Sequence, residues 1–169
     1  MDDIILETKR LQLRYQRDED FDFIIKLWTD EKITRYVGGP RNENILIKSI
    51  KNVALNPRKE KYDLWYVVIK NTNKLIGMAG LLPKEIDNEQ FYEINYYIEE
   101  KQWNKGFATE IANELIQYFL EKKGIQTFIA IIDKENIASI KVARKIGMKY
   151  WKTEMRNSGE KEIYKVEYL

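Results

Sequence analysis

The spacing of apolar residues changes period repeatedly along the chain, and each change predicts an element. "RLQLRYQ" (10–16) alternates apolar and polar residues and predicts a first strand. "RDEDFDFIIKLWTDE" opens on acidic residues and then sets Phe21, Ile24, Ile25 and Trp28 at helical spacing, which predicts a short helix. "ITRYVGGPRN" is broken by Gly38, Gly39 and Pro40 and reads as a loop. "ENILIKSIKNVAL" predicts a second helix that stops before Pro57. Three strand-like runs follow: "DLWYVVIK" and "KLIGMAGLLP", joined by the polar turn Asn71-Thr72-Asn73, and then the aromatic and β-branched "QFYEINYYIEE".

In "EEKQWNKGFATEIANELI" (99–116) helical periodicity returns. Phe107/Ala108, Ile111/Ala112, Leu115/Ile116 and Phe119/Leu120 stack in i, i+4 steps, and Gly124 closes the helix. "TFIAII" is a buried strand, and "NIASIKVARKIG" is a helix opened by the capping candidate Asn136 and closed by Gly147. "KYWKTE" and "KEIYKVEYL" are two final strands around the turn Asn157-Ser158-Gly159. The order β-α-α-β-β-β-α-β-α-β-β predicts an α/β domain with a mixed sheet. No repeat or Gly/Ser/Pro-rich linker interrupts it, so residues 1–169 read as a single domain.

Composition mainly excludes. With 44% hydrophobic residues among 169, one well-filled core is expected and disorder is not. The 29 basic and 27 acidic residues are interleaved, which argues against a nucleic-acid or anionic-membrane surface. There is no cysteine and no histidine, so disulfides, thiolate nucleophiles, Cys/His metal sites and Ser-His-Asp triads are all ruled out. No metal is expected. Any general base must be a carboxylate, Tyr, Lys or water. No apolar run approaches a membrane span, and "MDDIILETKRLQL" lacks a signal-peptide layout, so a cytoplasmic protein is expected.

The glycine at the mouth of the third helix admits two readings. Gly106 is a helix-entry turn, or it clears the backbone so that an anion can reach the helix amides. Small Ala108 and cationic Lys105 would serve the second, with charge-assisted hydrogen bonds worth roughly 1.5–3 kcal/mol each. The patterns G-x-x-x-x-G-K-[ST] and G-x-G-x-x-G are both absent, which removes nucleoside triphosphatases and dinucleotide dehydrogenases.

The surroundings favour the second reading. "YEINYYIEEKQWNKGFATE", a helix, a strand and then "NIASIKVARKIGMKYW" resemble the GNAT family of acyl-CoA-dependent N-acetyltransferases. The nearest pattern is the branch of ribosomal-protein N-terminal (alanine/serine) acetyltransferases and spermidine acetyltransferase. That branch usually reads E-I-G-Y-W, then W-G-K-G-Y-A-T-E, then N-x-x-S-x-x-x-x-x-K-x-G-F. The resemblance implies a mixed sheet of about seven strands, splayed between the fourth and fifth, with about four flanking helices. It implies acetyl-CoA as co-substrate, its pyrophosphate cradled by Trp103, Asn104, Lys105, Gly106, Phe107, Ala108 and Thr109. Trp103 stands in place of the usual Arg or Gln, and Asn104 where the branch often has Gly. By the same resemblance the main chain of Ile98, with Tyr97 beside it, pairs with pantetheine like an added strand, and Asn136 and Ser139 lie near pantetheine and sulfur.

The resemblance further implies acetyl transfer to a primary amine, either a protein N-terminus or a small-molecule amine. Without Cys or His, direct attack in a ternary complex is expected rather than an acyl-enzyme. Side-chain amines have pKa about 10.4 and α-amines about 8, so a base matters more for the former. Glu93 is the leading base candidate, and a structural glutamate is its alternative. Ser139 is the acid proposed for this branch, and a helix-capping role is its alternative. Many family members carry a Tyr where this chain has Ala143; Tyr164 is a weak substitute. Trp28, Tyr36, Trp65 and Tyr66 are candidates for lining an acceptor pocket, with core packing as the alternative for each. The loop "RYVGGPRN" would be its lid. A catalytically silent CoA-binding or partner-binding module on the same fold is the competing function, and a homodimer is compatible with the branch.

Overall fold

An open sheet of eight strands runs through the molecule in the order β1-β2-β3-β4-β5-β6-β8-β7. The computed structural model describes residues 3–55 and 63–168, so the expected stop at Pro57 lies outside them. The strands are β1 (Ile4–Glu7), β2 (Leu11–Arg14), β3 (Leu64–Ile69), β4 (Lys74–Ile86), β5 (Glu89–Ile98), β6 (Thr127–Asp133), β7 (Lys149–Arg156) and β8 (Gly159–Glu167). The helices are α1 (Phe21–Thr29), α2 (Glu31–Thr34), α3 (Glu43–Leu55), α4 (Phe107–Lys123) and α5 (Ile137–Lys145).

Two elements exceed the expected seven strands and four helices. The apolar run Ile4-Ile5-Leu6 shows no alternation, yet it forms β1, because Thr8 N–H reaches Leu11 O at 2.8 Å and folds the chain back onto β2. Where the expected first helix meets the glycine loop, Asp30 accepts Lys32 N–H at 2.8 Å and starts the single turn of α2.

Helix α4 covers one face of the sheet. Its Ile111, Ala112, Leu115, Ile116 and Phe119 are fully buried, with Leu81 and Phe128 in the same cluster. Each Ile, Leu or Phe among them contributes roughly 1.5–3 kcal/mol. Helices α1 and α3 cover the other face through Ile24, Leu27 and Ile50, against Tyr66 and Met78. Alternation along β5 therefore sends Ile94 and Ile98 to the α4 face, and Tyr97 to the α1 face.

All neighbouring strands are antiparallel except β5 and β6, which are parallel and share one paired position, Glu93 with Ile129. Ten paired positions tie β5 to β4, and seven tie β6 to β8. Each inner strand thus follows its outer partner, and beyond Glu93 the sheet opens.

The chain enters α1 through a buried ion pair. Arg14 donates to Asp20 from Nη1 at 2.6 Å and from Nη2 at 2.7 Å, and Asp20 also accepts Arg17 N–H at 2.8 Å. Removing one member of such a pair leaves the other charge buried and alone. Asp20→Ala is expected to cost about 3–5 kcal/mol in urea denaturation.

Candidate active site

The opening between β5 and β6 is a cleft of about 620 Å³. The C-terminal half of β5 forms one wall, Ala130–Asp133 and the start of α5 form the other, and the mouth of α4 closes one end.

That mouth is built for close approach to backbone. Gly106 is the N-cap of α4 with φ 79°, and Asn104 two residues earlier has φ 61°. Both lie in the left-handed region, which Gly adopts freely and Asn tolerates best among the other residues. This explains why an Asn can stand where the related branch has Gly. No side chain caps the helix, and its first intrahelical bond here runs from Glu110 N–H to Gly106 O at 3.0 Å. The amides of Phe107, Ala108 and Thr109 precede that bond and have no intrahelical acceptor. Phe107, Ala108 and Thr109 line the cleft. Lys105 does not, and its ammonium instead bonds Gln102 Oε1 at 2.8 Å.

Two residues outside the expected site hold this loop. Glu110 Oε1 accepts Thr8 Oγ1 at 2.5 Å and Arg10 N–H at 2.8 Å, while its Oε2 accepts Arg10 Nε at 2.6 Å. Arg10 Nη1 then reaches Lys105 O at 3.0 Å, and its guanidinium lies over the Phe107 ring. Burial alone would raise the Glu110 pKa, but these bonds hold it below the usual carboxylate range. The contacts span about a hundred residues of chain, so no local motif announces them.

On the strand wall, Glu99 N–H reaches Ile76 O at 2.8 Å. The backbone groups of Ile98, one residue out of phase, therefore face away from β4 and toward the cleft. Trp103 Nε1 donates to Ile98 O at 2.7 Å, so the indole already serves that carbonyl and leaves the Ile98 N–H as a donor into the opening. Tyr97 lines the cleft with its ring against Trp28, the ring centroids 4.6 Å apart.

Glu93 sits where β5 and β6 part, on the same face as Asn95 and Tyr97, and is 8% exposed. Burial pushes its carboxyl above the usual range; Lys84 Nζ at 3.5 Å, Asn95 and the more distant Arg156 partly offset this. Tyr97 Oη donates to Asn95 Oδ1 at 3.1 Å, and Asn95 Nδ2 donates to Glu93 O at 3.2 Å. Three alternate residues of one strand thus form a polar row into the cleft.

On the α5 side, Asn136 Oδ1 accepts the Ser139 amide at 3.1 Å, so Asn136 supplies the helix cap and the Ser139 hydroxyl is not needed for it. Ser139 lines the cleft beside Tyr96, whose phenol burial pushes up to about 12, an effect its interaction with Ser139 moderates. Tyr96 was not singled out by sequence because an aromatic residue in a strand usually signals packing. The other aromatic candidates separate clearly. Tyr36 lines the cleft, Trp28 supports it through Tyr97, and Trp65 is a core residue stacked on Phe119. Tyr66 is buried, with its hydroxyl on Gln16. Tyr164 and Ala143 are also core residues, and Tyr164 Oη bonds Glu162. Tyr36 and Val37 of the glycine loop both line the cleft.

A family model described as an acetyltransferase (GNAT) domain matches residues 10–149. The chain is 33% identical over 152 residues to the uncharacterized protein YkkB of Bacillus subtilis (strain 168), covering 88% of this chain and 87% of that one. It is 28% identical over 142 residues to the uncharacterized N-acetyltransferase p20 of Bacillus licheniformis, covering 81% and 78% of the two chains. Its fold matches the ribosomal L7/L12 alpha-N-protein acetyltransferase RimL, solved with coenzyme A, with TM-score 0.78 at 16% identity over 97% of both chains. The chain belongs to the GNAT family of acetyltransferases, and its activity class is N-acetyltransferase.

The raised Glu93 pKa makes stability depend on pH. Below the usual carboxylate range, about 4.3, the group is protonated in the folded and unfolded chains alike, and its burial costs least. As pH rises toward the raised folded value, the unfolded chain releases the proton first and this stability is lost. Glu93→Gln is therefore expected to melt at a higher temperature than the wild type at pH 8, with the gain vanishing toward pH 4 in paired thermal scans.

Proposed function

We propose that the protein transfers an acetyl group from acetyl-CoA to a primary amine by direct attack in a ternary complex. One arrangement carries the reading: a single cleft joins an uncapped helix N-terminus on one side of the sheet to a buried carboxylate on the other. RimL, its fold neighbour, was solved with coenzyme A, which is consistent with this donor.

The amides of Phe107, Ala108 and Thr109 would bind the pyrophosphate, with Asn104 and Gly106 shaping the loop around it. No side chain at Gly106 stands between those amides and a ligand, and even an added Cβ would meet Arg10 Nη2 only at an ordinary 3.5 Å. The pantetheine arm would run along Ile98, whose N–H faces the cleft and would polarise the thioester carbonyl. Tyr97 supports that stretch of strand from the opposite face.

The acceptor would enter on the Glu93 face, beneath Tyr36 and Val37. Burial makes Glu93 a stronger base than an ordinary carboxylate and so better able to take a proton from an ammonium group, directly or through water. The amine nitrogen then bonds the acyl carbon, the carbon–sulfur bond breaks, the thiolate leaves beside Ser139, and the nitrogen's second surplus proton passes to the departing sulfur or to water. A thiol with pKa about 8.5 needs little protonic help, so Ala143 in place of the family's tyrosine is compatible with turnover. The acceptor is a protein N-terminus or a small-molecule amine.

Calorimetry with acetyl-CoA tests the donor: saturable binding is expected, Gly106→Glu should abolish it, and no wild-type binding at millimolar ligand would reject the reading. A panel of amines and N-terminal peptides with free-thiol detection tests transfer. Glu93→Gln should lower kcat/KM by about 10²-fold or more, and more for a side-chain amine than for an α-amine. Tight acetyl-CoA binding without turnover of any amine would instead support a silent CoA-binding module.

A further inference from the structure

Lys161 is a buried charge that the chemistry above does not use. It lies on β8 opposite Asp133, is 5% exposed, and does not itself line the cleft. Its ammonium donates to Asp133 Oδ2 at 2.7 Å and to Tyr36 O at 3.3 Å. Both of those partners do line the cleft, from opposite sides of the opening.

The Tyr36 contact joins the two halves of the molecule. The segment carrying Tyr36 folds back on its own neighbours: Val37 N–H and Gly39 N–H both bond Thr34 O, and Arg41 N–H bonds Trp28 O. Those bonds fix it to α1 and α2, which belong to the half of the sheet ending at β5. Lys161 belongs to the other half, beyond the splay. Its bond to the Tyr36 carbonyl draws that loop across the opening toward β6 and β8.

Fold stability is a poor reason for an ammonium here. Buried ion pairs are often replaceable by apolar side chains at little or no cost to folding, because desolvation offsets their attraction. A cation with two directional acceptors does what an apolar residue cannot, which is to set the distance between a loop carbonyl and a strand end. We propose that Lys161 is a positioning residue for the acceptor, holding Tyr36 and Val37 at the spacing from Asp133 that defines the acceptor mouth. This rests on the reading that the amine enters on the Glu93 face; the donor cradle at α4 lies at another end of the cleft and is independent of it.

Lys161→Met keeps most of the stem and removes the donors. Acceptor KM is expected to rise tenfold or more with kcat falling less, while the Kd for acetyl-CoA by calorimetry stays within twofold. Lys161→Arg, which retains charge and donors, should recover most of the loss. Hydrogen exchange at the Val37 and Gly39 amides should accelerate at least tenfold in Lys161→Met, a readout that needs no turnover. Should Lys161→Met melt below the assay temperature, Asp133→Asn loosens the same ammonium from its other side and carries the same expectation. Unchanged exchange and unchanged acceptor KM in a folded variant overturn the positioning role, as does an equal loss of acetyl-CoA affinity. Absence of wild-type turnover with every amine overturns the acetyl-transfer reading instead, and leaves the exchange result to decide the Lys161 tie.

Discussion

The site depends on a pairing that stops. Strands β5 and β6 meet at Glu93 and Ile129 and nowhere further along, because each is held more firmly by its outer neighbour. Separating two strands exposes backbone donors and acceptors that must find partners. Here the exposed edge of β5 lines the cleft. Trp103 serves the Ile98 carbonyl, and the Ile98 N–H faces the cleft. The same divergence leaves Glu93 at the apex, buried by the strands on either side and open to the cleft ahead.

Around that gap the protein works with a restricted set of side chains. Lacking histidine, it has no group whose ordinary pKa lies near neutrality. The cleft instead holds a carboxyl, Glu93, that burial moves upward, and Lys84 and Asn95 limit how far it moves. The mouth of α4 likewise relies on backbone. Its amides come from a helix start with two left-handed residues just before it, and the loop is fixed by Glu110 and Arg10 together with its own Trp103 on the Ile98 carbonyl.

Much of this was legible in the chain. Hydrophobic periodicity located the sheet and the major helices, since burial of one face imposes its period directly on sequence. It missed β1, whose three consecutive apolar residues carry no alternation, and α2, a single turn set by the Asp30 cap. The glycine-bearing helix start and Asn136 were readable because each answers a local backbone requirement. The choice among aromatic residues was not: Trp65 and Tyr36 look alike as residue types, and only their placement sends one to the core and the other to the cleft.

The sequence by itself determined the α/β class, the absence of histidine and cysteine chemistry, and the positions where backbone must be left-handed or uncovered. These are properties of composition and of a few neighbouring residues. Tertiary structure decided which side chains share the cleft. It gave Glu110 its anchoring role through Thr8 and Arg10, placed Tyr96 beside Ser139, and set Lys161 between Asp133 and the Tyr36 carbonyl. Each of these contacts joins segments far apart in the chain, and their spacing is fixed by strand order and splay, for which no local pattern exists.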